Sequence, residues 1–420
     1  MEELIIQNEW WETKTISKEK AKPYKRKIFK KVKDTFLKYK QILILTGLRR
    51  VGKTTIIYQL IDDLLKNGTN PYQILYFSFD KTIKEPIEIF KAYEKITKIN
   101  WKKEKVYVFF DEIQKLENWT SKIKLLYDNL PNAKFCLSGS ASLTIEKKAI
   151  EDLAGRYFEI EIKFLTLQEF AELYYNSEID NFELYRSKLE AIFDDYVRKP
   201  FPEIVKWQDK EKINTYLKEL IIERIIKSDM MDVFKKVNIS LLANLTEIFI
   251  KNIGGILNIE NLSKDLHAHK LTIAEHIYYL KFGKLIRIIK NYRPSIRAES
   301  RKLAKIYLAH PCFVFSYYLE PEKGKIAENL VASALDLDKY FRLGNKEIDF
   351  LKIDKELLPI EIKAKQDLNK EDLKPLLWFL EKYKLKKGVV IYQGEETKKV
   401  FDKKKILFIP LQKVLFNFEL

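Results

Sequence analysis

An α/β protein built on a buried parallel sheet is what this sequence predicts, and three observations carry the prediction. Ile42 to Leu45 is a short, wholly apolar run, as a strand covered on both faces requires. It flows into Gly47-Leu-Arg-Arg-Val-Gly52-Lys53-Thr54, a glycine loop that opens a helix. A second apolar run, Val106 to Phe110, ends on the acid pair Asp111-Glu112.

Composition sets the outer bounds. The 420 residues are 46% hydrophobic, enough to bury real cores, and the length suits roughly two to four domains. With only 12 Gly and 12 Pro, loops should be short and helices plentiful. No uncharged apolar stretch reaches the ~18 residues of a membrane span, so no membrane association is expected. The first eleven residues, Met1 to Trp11, lack the basic region and apolar core of a secretory signal, so a cytoplasmic location is expected. Cys136 and Cys312 lie far apart, which excludes a disulfide framework or a zinc site. The net charge of +17 favours a polyanion partner, DNA foremost. A lysine-rich surface selected for solubility or heat tolerance gives the same charge with no partner.

Taken in order, residues 18–40 place Ile28, Val32, Phe36 and Leu37 at helical spacing, a basic amphipathic helix ahead of the first strand. In the glycine loop, the glycines let successive N–H groups curl inward around phosphate oxygens. Gly47, Leu48, Arg49, Arg50, Val51, Gly52, Lys53, Thr54 and Thr55 therefore form the expected ATP site. Lys53 reaches the β- and γ-phosphates, the Thr54 hydroxyl ligates Mg²⁺, and the helix starting near Lys53 aims its positive end at the phosphates. A helix over 54–65, a strand over 73–79 and a helix over 85–96 follow. Asp111, at the end of the strand over 105–110, supports Mg²⁺, and Glu112 orients the attacking water. The strand over 134–140 brings Ser138 and Ser140 toward the γ-phosphate. Alternation from Tyr157 gives a fifth strand, with Arg156 just before it. In an oligomer, Arg156 can reach a neighbour's γ-phosphate; a surface ion pair is the alternative.

Gly-Leu-Arg-Arg-Val-Gly-Lys-Thr, Phe-Phe-Asp-Glu-Ile-Gln, Leu-Ser-Gly-Ser-Ala-Ser and Leu-Ala-Gly-Arg-Tyr together resemble the archaeal and bacterial AAA+ ATPases that carry a C-terminal nuclease-like domain. The resemblance covers essentially the whole chain and is most specific over 41–170. It implies an ATPase core over 1–165 with strand order 5-1-4-3-2, and a helical lid over 166–235.

Residues 236–310 read as helix, turn, helix and β-hairpin, with helices over 241–250, 259–266 and 271–280 and strands over 285–290 and 303–308. This is the pattern of a winged helix, whose third helix can enter a major groove. Its hairpin carries Lys290, Tyr292, Arg293, Arg297, Arg301 and Lys302, a mixture suited to phosphate backbones. The four histidines, His267, His269, His276 and His310, lack metal-ligand spacing and read as solvated turn residues.

The last stretch, 311–420, holds a second constellation: Asp349, then Glu361-Ile-Lys363. Both halves lie on apolar β runs, and alternation puts Glu361 and Lys363 on one face. Asp349 and Glu361 are expected to hold Mg²⁺ or Mn²⁺, with Glu328 as a third carboxylate and Lys363 stabilising developing charge. The resemblance points to the PD-(D/E)XK fold of restriction endonucleases, in which these residues form a hydrolytic site. The residues leave two outcomes open: an ATPase acting on DNA with a nuclease domain, or a nucleotide switch whose inactive C-terminal domain binds a protein partner. A homo-oligomer is compatible with either.

Overall fold

The computed structural model describes residues 1–80, 82, 84–139, 151, 153–234, 236–293, 304–317, 320–354 and 356–420. Ser140, Arg297, Arg301 and Lys302 lie outside the described residues. The chain separates into two compact units, one of residues 1–163 with 229–234, the other of the remainder.

The first unit is an all-parallel sheet in the order β2-β3-β4-β1-β5. Its strands are β1 (Ile42–Thr46), β2 (Ile74–Ser78), β3 (Val106–Asp111), β4 (Ala133–Ser138) and β5 (Tyr157–Glu161). This is the expected order read from the other edge. Every residue of β1 and β3 is buried, which explains why those strands read as unbroken apolar runs. The basic helix is shorter than expected, Phe29–Lys38. Its Val32 and Phe36 are buried, whereas Leu37 is 40% exposed.

The edge strand β2 is closed in a way the sequence did not announce. The N-terminal helix Glu2–Gln7 and the turn of helix Trp10–Thr13 lie along it. Asn8 donates from Nδ2 to the Tyr76 carbonyl (2.8 Å) and accepts the Tyr76 N–H on Oδ1 (2.7 Å). Gln7 accepts the Ser78 N–H (2.8 Å), and the indoles of Trp10 and Trp11 both donate to the Ile74 carbonyl. Side chains thus satisfy the groups that a sixth strand would otherwise take.

The second unit opens with helices Leu167–Tyr175, Arg186–Ala191, Phe193–Arg198 and Lys210–Thr215. The helices Ile239–Lys251, Ile259–Asp265 and Lys270–Phe282 stand within a few residues of their expected places. They precede a sheet in the order β10-β9-β7-β8-β6. It comprises β6 (Gly255–Ile256), β7 (Ile286–Asn291), β8 (Lys305–Leu308), β9 (Lys339–Leu343) and β10 (Lys346–Ile348). β7 pairs with β8 antiparallel and with β9 parallel, so this sheet runs straight across residue 310. The third sheet, β11-β12-β13-β15-β14, is mixed. Its strands are β11 (Phe350–Ile353), β12 (Leu357–Ile362), β13 (Lys387–Tyr392), β14 (Thr397–Phe401) and β15 (Lys404–Pro410). Helix Lys370–Lys382 covers one face, where Leu373, Leu376 and Leu380 meet Val390, Ile406 and Phe408.

Two histidines depart from expectation. His276 is buried between the Asn238 N–H (2.9 Å) and the Thr272 carbonyl (2.8 Å). His310 is buried against Phe164 and Tyr196 and accepts the Cys312 N–H. Burial holds His310 neutral, its pKa pushed down to about 3. They are core residues because their neighbours are apolar and the backbone engages both ring nitrogens of His276 and Nδ1 of His310. Only His267 and His269 are exposed. Both cysteines are buried free thiols.

Candidate functional site

The glycine loop occupies the turn between β1 and helix Lys53–Lys66. Gly47 has φ of +148°, and a Cβ there would lie 2.4 Å from the Ile162 carbonyl oxygen, so only glycine fits. Gly52 has φ of +100° with nothing within 4 Å of a built Cβ, leaving open space beside the helix N-terminus. The loop is anchored from behind by Arg26, a buried residue that donates to the carbonyls of Val51 (3.1 Å) and Lys163 (2.7 Å).

Lys53 is buried, and its ammonium donates to the carbonyls of Gly47 (2.9 Å) and Leu48 (3.0 Å). Burial pushes its pKa down, and the carboxylates of Glu112 and Asp111 push it back up. A cation held by two loop carbonyls can turn to an arriving phosphate without crossing the site. Thr54 Oγ1 donates to Asp111 Oδ2 (2.7 Å). The same carboxylate accepts from Tyr76 OH (3.1 Å), Ser138 Oγ and the Glu112 N–H (3.1 Å). Burial, and then the neighbouring Glu112, raise the Asp111 pKa. A hydroxyl and a buried carboxylate already converging on one point form a donor set that suits Mg²⁺. Glu112 stands beside it in the left-handed region (φ +53°), its Oε2 accepting from Gln114 Nε2 (2.5 Å).

Several partners were invisible in the sequence. Tyr76 reaches Asp111 from the neighbouring strand, and Arg26 comes from just before helix Phe29–Lys38. Arg49, within the loop, is clamped by Asp229 through three contacts of 2.5–3.0 Å. No motif marks Asp229; only the folded chain brings it 180 positions back. Arg156 stands at the start of β5, its carbonyl bonded to the Ile42 N–H. In a parallel sheet that is the end opposite the glycine loop, so Arg156 cannot meet the phosphates bound by its own chain. It pairs with Asp128 (2.9 Å).

The second constellation does come together. Asp349 sits at the corner where β10 ends and β11 begins, and its Oδ2 accepts the Ile362 N–H (2.7 Å). Glu361, on β12, is 4% exposed. One of its oxygens meets Lys363 Nζ (2.7 Å), and the other has no hydrogen-bond partner among the described residues. Glu328 accepts from Tyr307 OH (2.5 Å) and from Lys325 (3.0 Å). Burial, then Asp349, lifts the Glu361 pKa to about 8; burial, then Glu328, lifts Asp349 to about 6. Among the described residues no group of three or more His, Cys, Asp or Glu is arranged to hold a metal ion. The orphaned Glu361 oxygen and the mutual charge of the carboxylates nevertheless suit a cation held by Asp349 and Glu361. Glu328, engaged by Tyr307 and Lys325, is not gathered with them as a third ligand. Among the described residues no helix is long and apolar enough to cross a membrane.

Residues 39–171 match a family described as AAA domain. Residues 190–314 and 323–414 match two domains of unknown function, DUF8612 and DUF4143. Two uncharacterised proteins of Methanocaldococcus jannaschii are similar. One is 28% identical over 88% of this chain and 84% of its own length; the other is 26% identical over 74% and 72%. A DNA replication initiation factor of known structure overlaps 60% of this chain and 86% of its own at 14% identity, with a TM-score of 0.28. An overlap that weak carries no functional weight. Residues 39–171 thus match the AAA-domain model and carry a glycine loop of P-loop pattern on an all-parallel sheet.

Proposed function

We propose that this chain is an ATP-hydrolysing AAA+ protein that acts on DNA, with an ATPase core over 1–165, a lid over 166–235, a winged helix over 236–310 and a PD-(D/E)XK-like domain over 311–420. The observation that carries the ATPase reading is the convergence of Lys53, Thr54 and Asp111 at the mouth of the glycine loop. Loop N–H groups and Lys53 bind the β- and γ-phosphates. Thr54 and Asp111 hold Mg²⁺, which neutralises phosphate charge when bound. Glu112 orients the attacking water, and Ser138, hydrogen-bonded to Asp111, senses the γ-phosphate side of the site. Arg156 serves a neighbouring subunit in an oligomer.

The net charge of +17 and the basic hairpin between β7 and β8 support DNA as the partner. In the C-terminal domain, Asp349 and Glu361 would hold Mg²⁺ or Mn²⁺, which would supply a more acidic water there. Lys363 stabilises charge on the scissile phosphate.

The ion pair that ties Lys363 to Glu361 favours a second reading, in which the C-terminal domain binds a protein partner and cuts nothing. One assay separates them. ATP turnover and nicking are measured together, with Mg²⁺ or Mn²⁺ and a mixture of supercoiled, linear, single-stranded and branched DNA. Cutting that disappears in Asp349→Ala supports the nuclease; turnover without cutting under any condition supports the switch. Unchanged turnover in Lys53→Ala would sink the ATPase assignment.

A further inference from the structure

We propose that Asp229 is a positioning residue of the nucleotide site: it holds Arg49 of the P-loop in reserve, and a γ-phosphate takes Arg49 from it. The inference rests on the ATP reading of the P-loop and extends it to a residue outside every motif.

The geometry has three parts. Arg49 Nε donates to both oxygens of Asp229 (3.0 and 2.7 Å), and its terminal nitrogen donates to Oδ1 (2.5 Å). The pair is largely withdrawn from water, with side-chain exposures of 23% and 7%. Arg49 lies within the electrostatic reach of Glu112 and Asp80, and Asp229 within that of Glu112 and Lys53, so the pair belongs to the catalytic neighbourhood. Asp80 is itself paired with Lys115 (2.6 Å).

Two properties make the pair exchangeable. A guanidinium fork fits carboxylate and phosphate alike, and phosphate offers more charge and more acceptor oxygens. Arg49 can therefore change partners without losing its charge-assisted bonds. Asp229 cannot. Burial already raises its pKa, and the hydrogen bonds from Arg49 are what oppose that rise. Once Arg49 turns away, a buried carboxylate is left uncompensated, which drives it toward water.

Asp229 also stands at a distinctive point of the chain. It ends the π-helical turn Ile225–Asp229, a geometry that recurs at functional positions. Residues 229–234 belong to the first compact unit, whereas residue 228 before them and residue 236 after them belong to the second. Helix Met230–Val233 packs near Ile113–Lys115, which follows Glu112 directly. A triphosphate that draws Arg49 away thus loosens residues 230–234, and a diphosphate leaves them held.

The test uses the full-length protein with Mg²⁺ and either ADP or ATPγS. Affinities are measured by calorimetry, and hydrogen exchange of the amides of 230–234 by mass spectrometry. In the wild type, ATPγS is expected to raise exchange in this segment several-fold over ADP. In Asp229→Asn, Arg49 is no longer held by a charge. Exchange should then be high with either nucleotide, and the preference for ATPγS over ADP should grow about tenfold. If that variant misfolds, the double variant Arg49→Gln/Asp229→Asn removes both charges. It should show high exchange with either nucleotide and a preference below that of the wild type. Equal exchange with two nucleotides that both bind overturns the role of Asp229 alone. So does an unaltered preference in the variants. A wild type that binds neither nucleotide overturns the ATP reading as well.

Discussion

The P-loop site and the C-terminal carboxylate site both bury charge, but they leave it in opposite conditions. At the P-loop, Asp111 collects four donors and Lys53 two carbonyls, so each charge is already solvated by the fold. In the C-terminal domain, Glu361 keeps one oxygen with no partner among the described residues, and Asp349 raises its pKa further. A site prepared for phosphate can be stable while it waits, because backbone and hydroxyl groups substitute for ligand. Two buried carboxylates held together repel beyond what the Lys363 ammonium offsets, a stress that protonation or a bound metal relieves.

The largest expected effect is at the first site. Lys53→Ala should cut ATP turnover at least about 100-fold while circular dichroism shows the fold retained. A smaller loss, measured with saturating ATP, would mean that the two sites differ less than their geometry suggests.

The second effect sharpens the contrast through pH. Glu361 has a folded pKa of about 8 against an ordinary value of 4.5. Its contribution to stability is complete below about pH 4.5 and is lost as pH rises toward 8. Asp349 behaves alike, but its change is largely over near pH 6. His310, depressed from 6.5 to about 3, acts in the opposite sense, and its contribution is lost only as pH falls below 6.5. Between pH 6.5 and 8 the Glu361 contribution is being lost while those of Asp349 and His310 scarcely change. Metal-free protein should lose roughly 5 °C of melting temperature across it, and Glu361→Gln should flatten the slope. Added Mn²⁺ should flatten it in the wild type. A flat wild-type profile in metal-free buffer would remove the electrostatic distinction.

Asn8→Ala should cost about 2 kcal/mol, read from urea unfolding, because it uncaps both the N–H and the carbonyl of Tyr76. Tyr76 also touches Asp111, so a weakened nucleotide affinity should accompany the loss. The smallest change is expected for Arg156→Ala. The pair with Asp128 is exposed, so the melting temperature should not move. Turnover should fall only at protein concentrations where subunits associate. Turnover unaffected at every concentration would return Arg156 to the surface.

How much of this was legible follows from the same contrast. Local chemistry was readable: Gly47 to Thr54 declares its loop because each residue has a job within eight positions. β1 and β3 declare themselves because burial on both faces forces apolar runs. Long-range partners were not readable. Asp229, Arg26, Tyr76 and Asn8 act across 25 to 180 positions, through types common in any helix, strand or turn. Asp349 lies in an apolar β run, yet the chain turns there and changes sheets. β14 offers no apolar alternation to follow, because its residues are exposed or half-exposed. The buried histidines show the limit of reading by type: the backbone engages both ring nitrogens of His276 but only Nδ1 of His310, and no sequence pattern announces either.

The pairing of β7 with β9 has a mechanical meaning. Lys290 and Asn291, at the end of β7, are in register with Lys339 and Tyr340, and β9 continues through β10 to Asp349. The hairpin is therefore not an arm on a hinge but the near end of a lever. A pull on the end of β7 at residue 291 is carried through backbone hydrogen bonds to β9 and along β10 to the corner that holds Asp349. A fragment beginning at residue 311 would cut the lever in two and leave β9 with a bare edge, prone to stick to its own copies.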